Sequence, residues 1–365
     1  MLKTGAFHII GAGNGLNNRP YIYVIASAVL YGLSIPASKV LLRQISPIAL
    51  AGLLYLGAFL GLAGYSQGKK FFGKSKNDEA PPLERRDYPW LAGAILSGGI
   101  LGPICLLSGL AIISGYAASL LQNLEGVATA LIAVLIFKEN AGRRIWLALA
   151  FMTCAGIFLS WDPGQNKFAV SGSLLVLAGV TCWGVDNNLT RRISDKNPVQ
   201  ISQIKVFIAG VFNLALAGVL GLKTPFHPVL FFALILGALS YGLSLVLFIK
   251  ALLRLGSFRT GAFFSFAPFA GALVSLAILP EPAKWVLAPG ALFMVVGVYL
   301  IINEKHAHDH RHEKLVHAHA HGHGDGHHLH PHEEKIEGPH SHEHAHEEMD
   351  HIHGHWPDIH HRHKH

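Results

Sequence analysis

Acidic and amide side chains inside long apolar runs are the residues of this sequence whose types and spacing could do chemistry. Gln122, Glu125 and Thr129 are three and four residues apart, which places them on one face of a helix. Asp186 and Asn187 stand together in a later run. A charged side chain deep in a bilayer costs about 2.5–3.5 kcal/mol, so it needs a partner or a water-filled cavity. We therefore predict that Glu125 and Asp186 line a cavity and bind a cation, a proton or a substrate amine.

Three further side chains are candidates for the same site. Tyr31 and Trp183 lie in apolar runs and could line the cavity with their rings, and Lys205 lies near the end of another run. Structural alternatives stay open for all of them. Glu125 would then be protonated or bonded to a neighbouring amide, Asp186 would pair with Lys205, and the two rings would only pack. Lys205 could also extend its amine to the membrane interface.

A second group of candidate ligands follows the last apolar run. Residues 304–365 contain 23 of the 25 histidines, interleaved with 12 acidic and 6 basic residues. Neutral imidazole binds Zn, Ni, Co and Cu, whereas a chain of this composition cannot bury a core. We therefore predict a disordered tail that binds divalent metal, while the protein itself requires no cofactor. The candidate ligands are His306, His308, His310, His312, His317, His319, His321, His323, His327, His328, His330, His332, His340, His342, His344 and His346.

Other interpretations of the tail stay open. Imidazoles titrate near pH 6.5, so many histidines together could act as a charge switch on acidification. The segment could also be low-complexity sequence without a function, or a purification tag, although tags are short and uninterrupted. No cluster fixes a coordination geometry, so the metal is not identified.

The elements that must position the acidic residues are membrane spans. Of the 365 residues, 51% are hydrophobic and only 14% are charged, against about 25% in soluble proteins. Basic residues lie between apolar runs rather than on one patch, which excludes a nucleic-acid partner. A span needs about 20 apolar residues. Ten runs qualify, at 21–42, 47–66, 89–112, 115–137, 143–161, 171–192, 199–221, 227–250, 258–279 and 285–303.

The basic residues between the spans predict the orientation. With the N-terminus in the cytoplasm, the segments on that side hold 17 Lys and Arg residues and the opposite side holds 4. Positive residues accumulate in short cytoplasmic loops. We therefore predict an integral membrane protein of a bacterial inner (plasma) membrane, with both termini in the cytoplasm.

The membrane part contains an internal repeat. Tyr31-Gly32 and Trp183-Gly184 correspond at an offset of 152, and the segments that end at Glu139 and Glu281 correspond at an offset of 142. Each half has five spans, an odd number, so the second half enters the membrane inverted. Inverted repeats are typical of secondary transporters, with the substrate site near the midplane.

Four segments carry a resemblance to a known family. They are YGLSIPASK (31–39), ASLLQNLEGVATALIAVLIFKE (118–139), WGVDNNLTR (183–191) and GAFFSFAPFAGALVSLAILPE (261–281). Together they resemble EamA-type permeases of the drug/metabolite transporter superfamily over about 20–303. The resemblance implies an all-α fold of ten spans as two inverted five-helix repeats, and secondary transport of small solutes, often export. Two features depart from it, namely Gly126 where the second repeat has Pro268, and the histidine-rich tail.

The predicted organisation follows from these segments. Residues 1–20 form a cytoplasmic leader, 21–161 the first repeat, 171–303 the second repeat and 304–365 the tail. Sequence motifs for hydrolytic catalysis and for a phosphate-binding loop are absent, which argues against an enzyme or an ATP-driven pump.

The leading hypothesis is a secondary active transporter, expected to export a small solute or metabolite. An exporter of Ni, Co or Zn is the first alternative, and a membrane-anchored metal buffer or sensor is the second. The expected partners are a small-molecule substrate, divalent metal ions and the lipid bilayer, and the oligomeric state is left open.

Overall fold

The computed structural model of the chain describes residues 19–71, 81, 83–136, 143–160, 167–194, 196–222 and 228–302. In the tail it describes 307–312, 315–321, 340–346 and 349–354. The predicted leader therefore lies outside the described residues except for its last two positions, and so does most of the tail.

The membrane part of the described chain is helical, and each of the ten predicted spans coincides with helical backbone. The helices are α1 (Arg19–Gly32), α2 (Ser34–Leu41), α3 (Pro47–Phe71), α4 (Tyr88–Ala94), α5 (Gly102–Ile112), α6 (Gly115–Leu121), α7 (Leu124–Leu135), α8 (Arg143–Ser160), α9 (Lys167–Arg191), α10 (Pro198–Val219), α11 (Pro228–Gly237), α12 (Ser244–Phe264), α13 (Ala267–Ile278) and α14 (Leu287–Ile302). A short 3₁₀ turn, Arg85–Asp87, precedes α4, and π-helical turns at Ile95–Leu101 and Ala238–Leu243 join α4 to α5 and α11 to α12.

Six helical stretches of the described chain are long and apolar enough to cross a bilayer. They are Arg19–Leu41, Pro47–Gly68, Arg85–Ile112, Gly115–Leu135, Pro198–Val219 and Pro228–Leu252. Large apolar side chains such as Leu135, Leu273 and Trp285 are about 70% exposed on the outer surface. Exposed apolar surface of this kind marks contact with lipid rather than water.

The core lies between tightly packed helices. Leu50, Leu106, Leu110 and Leu121 are at most 1% exposed and belong to one continuous apolar cluster. Glycine residues allow neighbouring helices to approach closely. Gly57 of α3, for example, lies against the backbone of Leu234 in α11, where a Cβ would clash.

The first and fourth predicted spans are each interrupted. The first span breaks at Leu33, between α1 and α2, because Pro36 has no N–H to donate to the carbonyl of Gly32. The fourth span breaks at Gln122–Asn123, where the amides of Glu125 and Gly126 bond three residues back instead of four. Each of these two spans therefore consists of two helices in sequence.

The ninth span is interrupted at the position equivalent to the fourth. Its break at Ser265–Phe266 precedes α13, whose second residue is Pro268. Subtracting the repeat offset of 142 from Ser265 gives Asn123. The two repeats therefore break the same helix at the same place, which is the behaviour of discontinuous helices at transporter sites.

The turn between the eighth and ninth spans has helical backbone throughout, whereas the sequence predicts a separator at 251–257. The helix α12 runs without a gap, yet the rings of Phe248 and Phe264 are only 4.9 Å apart. Sixteen residues of straight helix would separate their Cα atoms by about 24 Å. The chain therefore does reverse between these rings, as predicted, but through a helical turn.

The inverted repeat is also visible in the contacts between helices. Ser27 of α1 and Ser244 of α12 bond to each other in a buried contact, the Ser27 hydroxyl reaching the Ser244 carbonyl at 2.7 Å. The equivalent residues, Gly179 and Gly102, form the same close approach between α9 and α5. Both π-helical turns also coincide within one residue when the offset of 142 is applied.

The described part of the tail consists of four short strands, where the sequence predicts disorder. They are β1 (Ala307–His312), β2 (Leu315–His321), β3 (His340–His346) and β4 (Met349–Gly354). The strands pair antiparallel as β1 with β4 and β2 with β3. Alternation of histidine with other residues has the two-residue period of a strand, which is compatible with this backbone. Disorder of the tail as a whole stays a prediction.

Candidate substrate and coupling site

The centre of the site is a hydrogen bond between the fourth and sixth spans. The Asn187 side-chain amide of α9 donates to the Glu125 carboxylate of α7 at 2.8 Å and to the Thr129 hydroxyl at 3.2 Å. Glu125 is partly accessible, although it lies in the middle of its span. The structure thus brings together three residues that the sequence selects, Glu125, Asn187 and Thr129.

A close helix approach fixes this arrangement. A Cβ added to Gly184 of α9 would lie 2.9 Å from the backbone nitrogen of Thr129, so a larger residue would push α7 away. The buried amide of Asn188 donates to the carbonyls of Thr129 and Gly184 at 3.0 and 2.8 Å. Asn188 therefore holds the two helices together, while its neighbour Asn187 holds the carboxylate.

The break in the fourth span places polar groups beside Glu125. The helix α7 begins at Leu124, so Glu125 lies in its first turn, where the helix dipole favours negative charge. Gln122 is only 4% exposed, and neither atom of its side-chain amide has a hydrogen-bond partner among the described residues. The side-chain nitrogen of Asn123 also has no hydrogen-bond partner among the described residues. Unsatisfied buried amides cost about 1–3 kcal/mol each, so this break is a place where a ligand's polar groups would be stabilised.

Asp186 is charge-paired, as in the structural alternative considered above. The Lys205 amine lies 2.6 Å from both carboxylate oxygens, and the Thr190 hydroxyl donates to one of them at 2.9 Å. The carboxylate rests against Gly98, where any Cβ would clash with it. Lys205 therefore neutralises Asp186 instead of extending to the membrane interface.

A group of aromatic rings includes Tyr31, which interacts electrostatically with Glu125. Tyr31 has Glu125 and Gln122 among its electrostatic neighbours, and its ring centroid lies 5.7 Å from Tyr241 and 5.3 Å from Phe264. These three rings are all partly accessible, which fits the wall of a cavity. The sequence selects Tyr31 only. The repeat offset could have drawn attention to Phe264, because it is equivalent to Gln122.

Trp183 has a packing role in the structure. It is 7% exposed, and its indole N–H donates to the carbonyl of Gly98 at 3.0 Å. The Tyr55 hydroxyl donates to the same carbonyl at 2.9 Å. Gly98 belongs to the π-helical turn Ile95–Leu101, so the two side chains stabilise a carbonyl in an irregular part of the helix. Tyr55 is a residue that the sequence does not single out.

Polar contacts also close the end of the bundle far from the predicted cytoplasmic side. The Lys39 amine of α2 donates to the carbonyls of Leu110 and Ile113 at 2.6 and 2.7 Å. The Glu281 carboxylate accepts from the backbone N–H of Gly115 at 2.7 Å. These bonds fasten the turn between the third and fourth spans to the ends of the first and ninth.

Metal ligation has no preformed site in the described residues, where His, Cys, Asp and Glu do not gather in groups of three or more. Ten of the sixteen candidate histidines lie on the described strands, for which the backbone register is known. The other six lie outside the described residues, namely His306, His323, His327, His328, His330 and His332. His317 is the register partner of His344, His319 of His342, and His321 of His340.

An apolar groove of about 540 Å³ lies between α7, α8 and α9. Its lining includes the buried Val127 and the exposed Ile157 and Leu174, and does not include Glu125 or Asn187. The groove is a surface for lipid rather than part of the polar site.

Known proteins resemble the chain over nearly all of its membrane part. A protein of Methanothermobacter thermautotrophicus described as an uncharacterized transporter is 25% identical over 292 residues, which cover 77% of this chain and 85% of the relative. The uncharacterized transporter YetK of Bacillus subtilis is 20% identical over 302 residues, covering 78% and 87%. A crystal structure of another protein matches with a TM-score of 0.54 at 16% identity, over 78% of this chain and 96% of the other, which supports the fold alone.

The family of the chain is identified by a sequence model that describes a whole family domain. The model of the EamA-like transporter family matches residues 18–161 and again residues 170–303, once for each repeat. Members of this family are transporters in the membrane, which agrees with the apolar spans and the interrupted helices described above. The chain therefore belongs to the EamA-like transporter family.

Proposed function

We propose that the protein is a secondary active transporter that exports a small solute across the bacterial inner membrane, with proton exchange at Glu125. One observation carries the proposal. Glu125 is a partly accessible carboxyl at mid-span, beside a helix break, and the described residues give it an amide partner but no ion pair.

The carboxyl suits an exchange mechanism. A carboxylate within the bilayer is stable only with a proton, a cation or other donors. The single amide of Asn187 satisfies one oxygen and leaves the other for a ligand. A proton and a substrate would therefore compete for Glu125 as the two repeats alternate between inward and outward openings.

The coupling role is tested by proton movement in liposomes that contain the full chain and an internal pH indicator. A panel of amino acids, amines and carboxylates is applied with and without a proton gradient. At least one solute should change the internal pH through the wild type and not through Glu125→Gln, which keeps the shape of the side chain but cannot titrate. Glu84→Gln, whose carboxyl is exposed outside the spans, is the matched control. Equal proton movement through Glu125→Gln would reject the coupling role.

The orientation is part of the proposal, with both termini in the cytoplasm. It is supported by the 17 to 4 distribution of basic residues between the two sides. Reporter domains fused after Lys76 and Arg144 should be cytoplasmic, and those fused after Arg43 and Lys284 should be external. An external reporter after Arg144 would overturn this orientation.

The tail is proposed to bind Zn, Ni, Co or Cu on the cytoplasmic side. The density of histidines supports this, and so does the register of β2 with β3, which sets histidine positions opposite each other in three successive pairs. The metal bound by the tail would be a regulatory or buffered ion. Its site would be distinct from the Glu125 site in the membrane.

Export of a divalent metal is the second candidate, and the tail is the observation that favours it. The membrane site offers one unpaired carboxylate and amides rather than imidazole or sulfur. Growth on a panel of Ni, Co and Zn salts, with and without the gene, separates the possibilities. If the protein is an anchored buffer, growth on the metal salts should require residues 304–365 and should be unaffected by Glu125→Gln. If it is a metal exporter, growth should require both the tail and the carboxyl of Glu125.

A further inference from the structure

The net charge of the membrane site is set by three side chains. Asp186 and Lys205 lie 2.6 Å apart and cancel each other. Glu125 interacts electrostatically with both members of this pair, but its described hydrogen bond is to the neutral amide of Asn187. With Glu125 ionised, the site carries one net negative charge. A single charge matches a monovalent cation better than a divalent ion, which would leave one positive charge uncompensated in the membrane.

The wall beside Glu125 is aromatic. Tyr31 interacts electrostatically with Glu125, and Tyr241 and Phe264 are in ring contact with Tyr31 at 5.7 and 5.3 Å. The faces of such rings attract organic cations, most strongly where the contact is desolvated. Small inorganic ions keep their water or seek oxygen ligands, so they gain little from this wall.

Polar groups at the helix break complete the arrangement. Gln122 is buried, lies near Tyr31 and has an unsatisfied carbonyl oxygen and nitrogen on its side chain. An ammonium group can donate to that oxygen and to the free carboxylate oxygen of Glu125 together. An anionic solute would instead meet a carboxylate, because the nearest buried cation, Lys205, is already paired with Asp186.

We propose that the transported solute is a monovalent organic cation with an apolar or aromatic body, held by Glu125 at its charge and by Tyr31, Tyr241 and Phe264 at its body. The inference deepens the proposed function, since it assumes that the Glu125 site is the transport site. Competition between this cation and a proton for one carboxylate gives electroneutral exchange of one for the other.

The test is direct binding to the purified full chain by calorimetry, without any gradient. Three probes share one ring and differ in charge, namely benzylammonium, benzyl alcohol and benzoate. The ammonium should bind at least tenfold more tightly than the other two. Glu125→Gln should weaken its binding by tenfold or more and leave benzyl alcohol unchanged. Binding of benzoate or benzyl alcohol as tight as that of the ammonium would overturn the inference, and so would no binding of the ammonium at all.

Substitution of the ring wall tests the second half of the inference. Tyr31→Leu should weaken ammonium binding about tenfold, whereas Tyr31→Phe, which keeps the ring face, should bind like the wild type. Tyr299→Leu on the outer face of α14 is the matched control. An equal loss in Tyr31→Phe and Tyr31→Leu would show that the hydroxyl and not the ring matters. A chain that binds the ammonium but moves no protons would contradict the proposed coupling alone, and proton exchange with another solute would contradict this inference alone.

Discussion

The side-chain amide of Asn187 reaches the carboxylate of Glu125 across the interface of α9 and α7, at a distance of 2.8 Å. Its donor group satisfies one carboxylate oxygen without adding charge. The partner therefore orients Glu125 and leaves it able to take a proton or a cation. A lysine in the place of Asn187 would instead form an ion pair with Glu125, and the carboxylate would then be neutralised without a proton or a substrate cation.

Substitutions of the two adjacent asparagines of α9, Asn187 and Asn188, should affect different properties. One should weaken substrate binding and the other should lower stability. Asn187→Ala removes a donor from a partly accessible carboxylate, so transport and substrate affinity should fall while the folded fraction changes little. Asn188→Ala removes buried bonds to two carbonyls, which should cost about 1–3 kcal/mol. Thermal unfolding in detergent and uptake into liposomes measure the two effects. Equal losses of stability in both variants would contradict this division.

Gly98 is predicted to be intolerant of any side chain. Its Cβ would enter the carboxylate of Asp186, and overpacking of this kind costs about 1–3 kcal/mol. Gly98→Ala should therefore lower the melting temperature and the amount of folded protein. Gly64→Ala is the matched control, because an added Cβ there meets no atom within 4 Å. A wild-type melting temperature for Gly98→Ala would show that the helices shift freely at this contact.

Removal of one member of the Asp186–Lys205 ion pair should destabilise the protein more than removal of both members. Lys205→Met leaves the Asp186 carboxylate unpaired against Gly98, and loss of a partner in a buried pair costs about 3–5 kcal/mol. The double variant Asp186→Asn with Lys205→Met should recover most of that stability. Folded yield and thermal unfolding of the two single variants and the double variant give the comparison. If the double variant is no more stable than Lys205→Met, the pair is not a coupled unit.

Sequence reasoning predicted the parts of this site that depend on periodicity and on the repeat. Glu125 and Thr129 are four residues apart, so they share a helix face and meet the same amide of Asn187. The offset of 152 relates Gly32 to Gly184, and both glycines give a close approach to an interrupted helix. Such patterns follow directly from helix geometry and chain duplication.

Other parts of the site have no signal in a single sequence. The fourth span has no proline at its break, and the π-helical turns have no distinctive composition. Tyr55 and Tyr241 look like any aromatic residue of an apolar run, because only the tertiary contacts reveal which rings face a cavity. The pairing of Asp186 with Lys205 was one of two alternatives, and the choice between them depends on how far α9 and α10 are apart.

The predicted cytoplasmic end has a contact whose strength depends on pH. The buried Lys196 amine lies 2.9 Å from the Glu84 carboxylate, and this bond, with the nearby Arg86, lowers the pKa of Glu84 from its usual 4.5. A carboxyl with a lowered pKa in the folded state adds stability above the unfolded pKa and loses it as pH falls through the folded value. The wild type should therefore be more stable than Glu84→Gln at pH 7. The difference should begin to shrink near pH 4.5 and vanish only below the lowered pKa of the folded state. Melting curves at several pH values measure it, and a difference that grows on acidification would contradict the assignment.

The histidine-rich tail should bind metal in a way that acid reverses. Full chain and a chain without residues 304–365 are compared by calorimetry with Zn²⁺ and Ni²⁺ at pH 7. The full chain should bind several ions and the shortened chain none, because 23 of the 25 histidines lie in that segment. Binding should weaken between pH 7 and pH 5, since an imidazole with a pKa near 6.5 ligates only when neutral. Zn²⁺ binding that persists in the shortened chain would place the metal in the membrane part and favour metal as the transported ion.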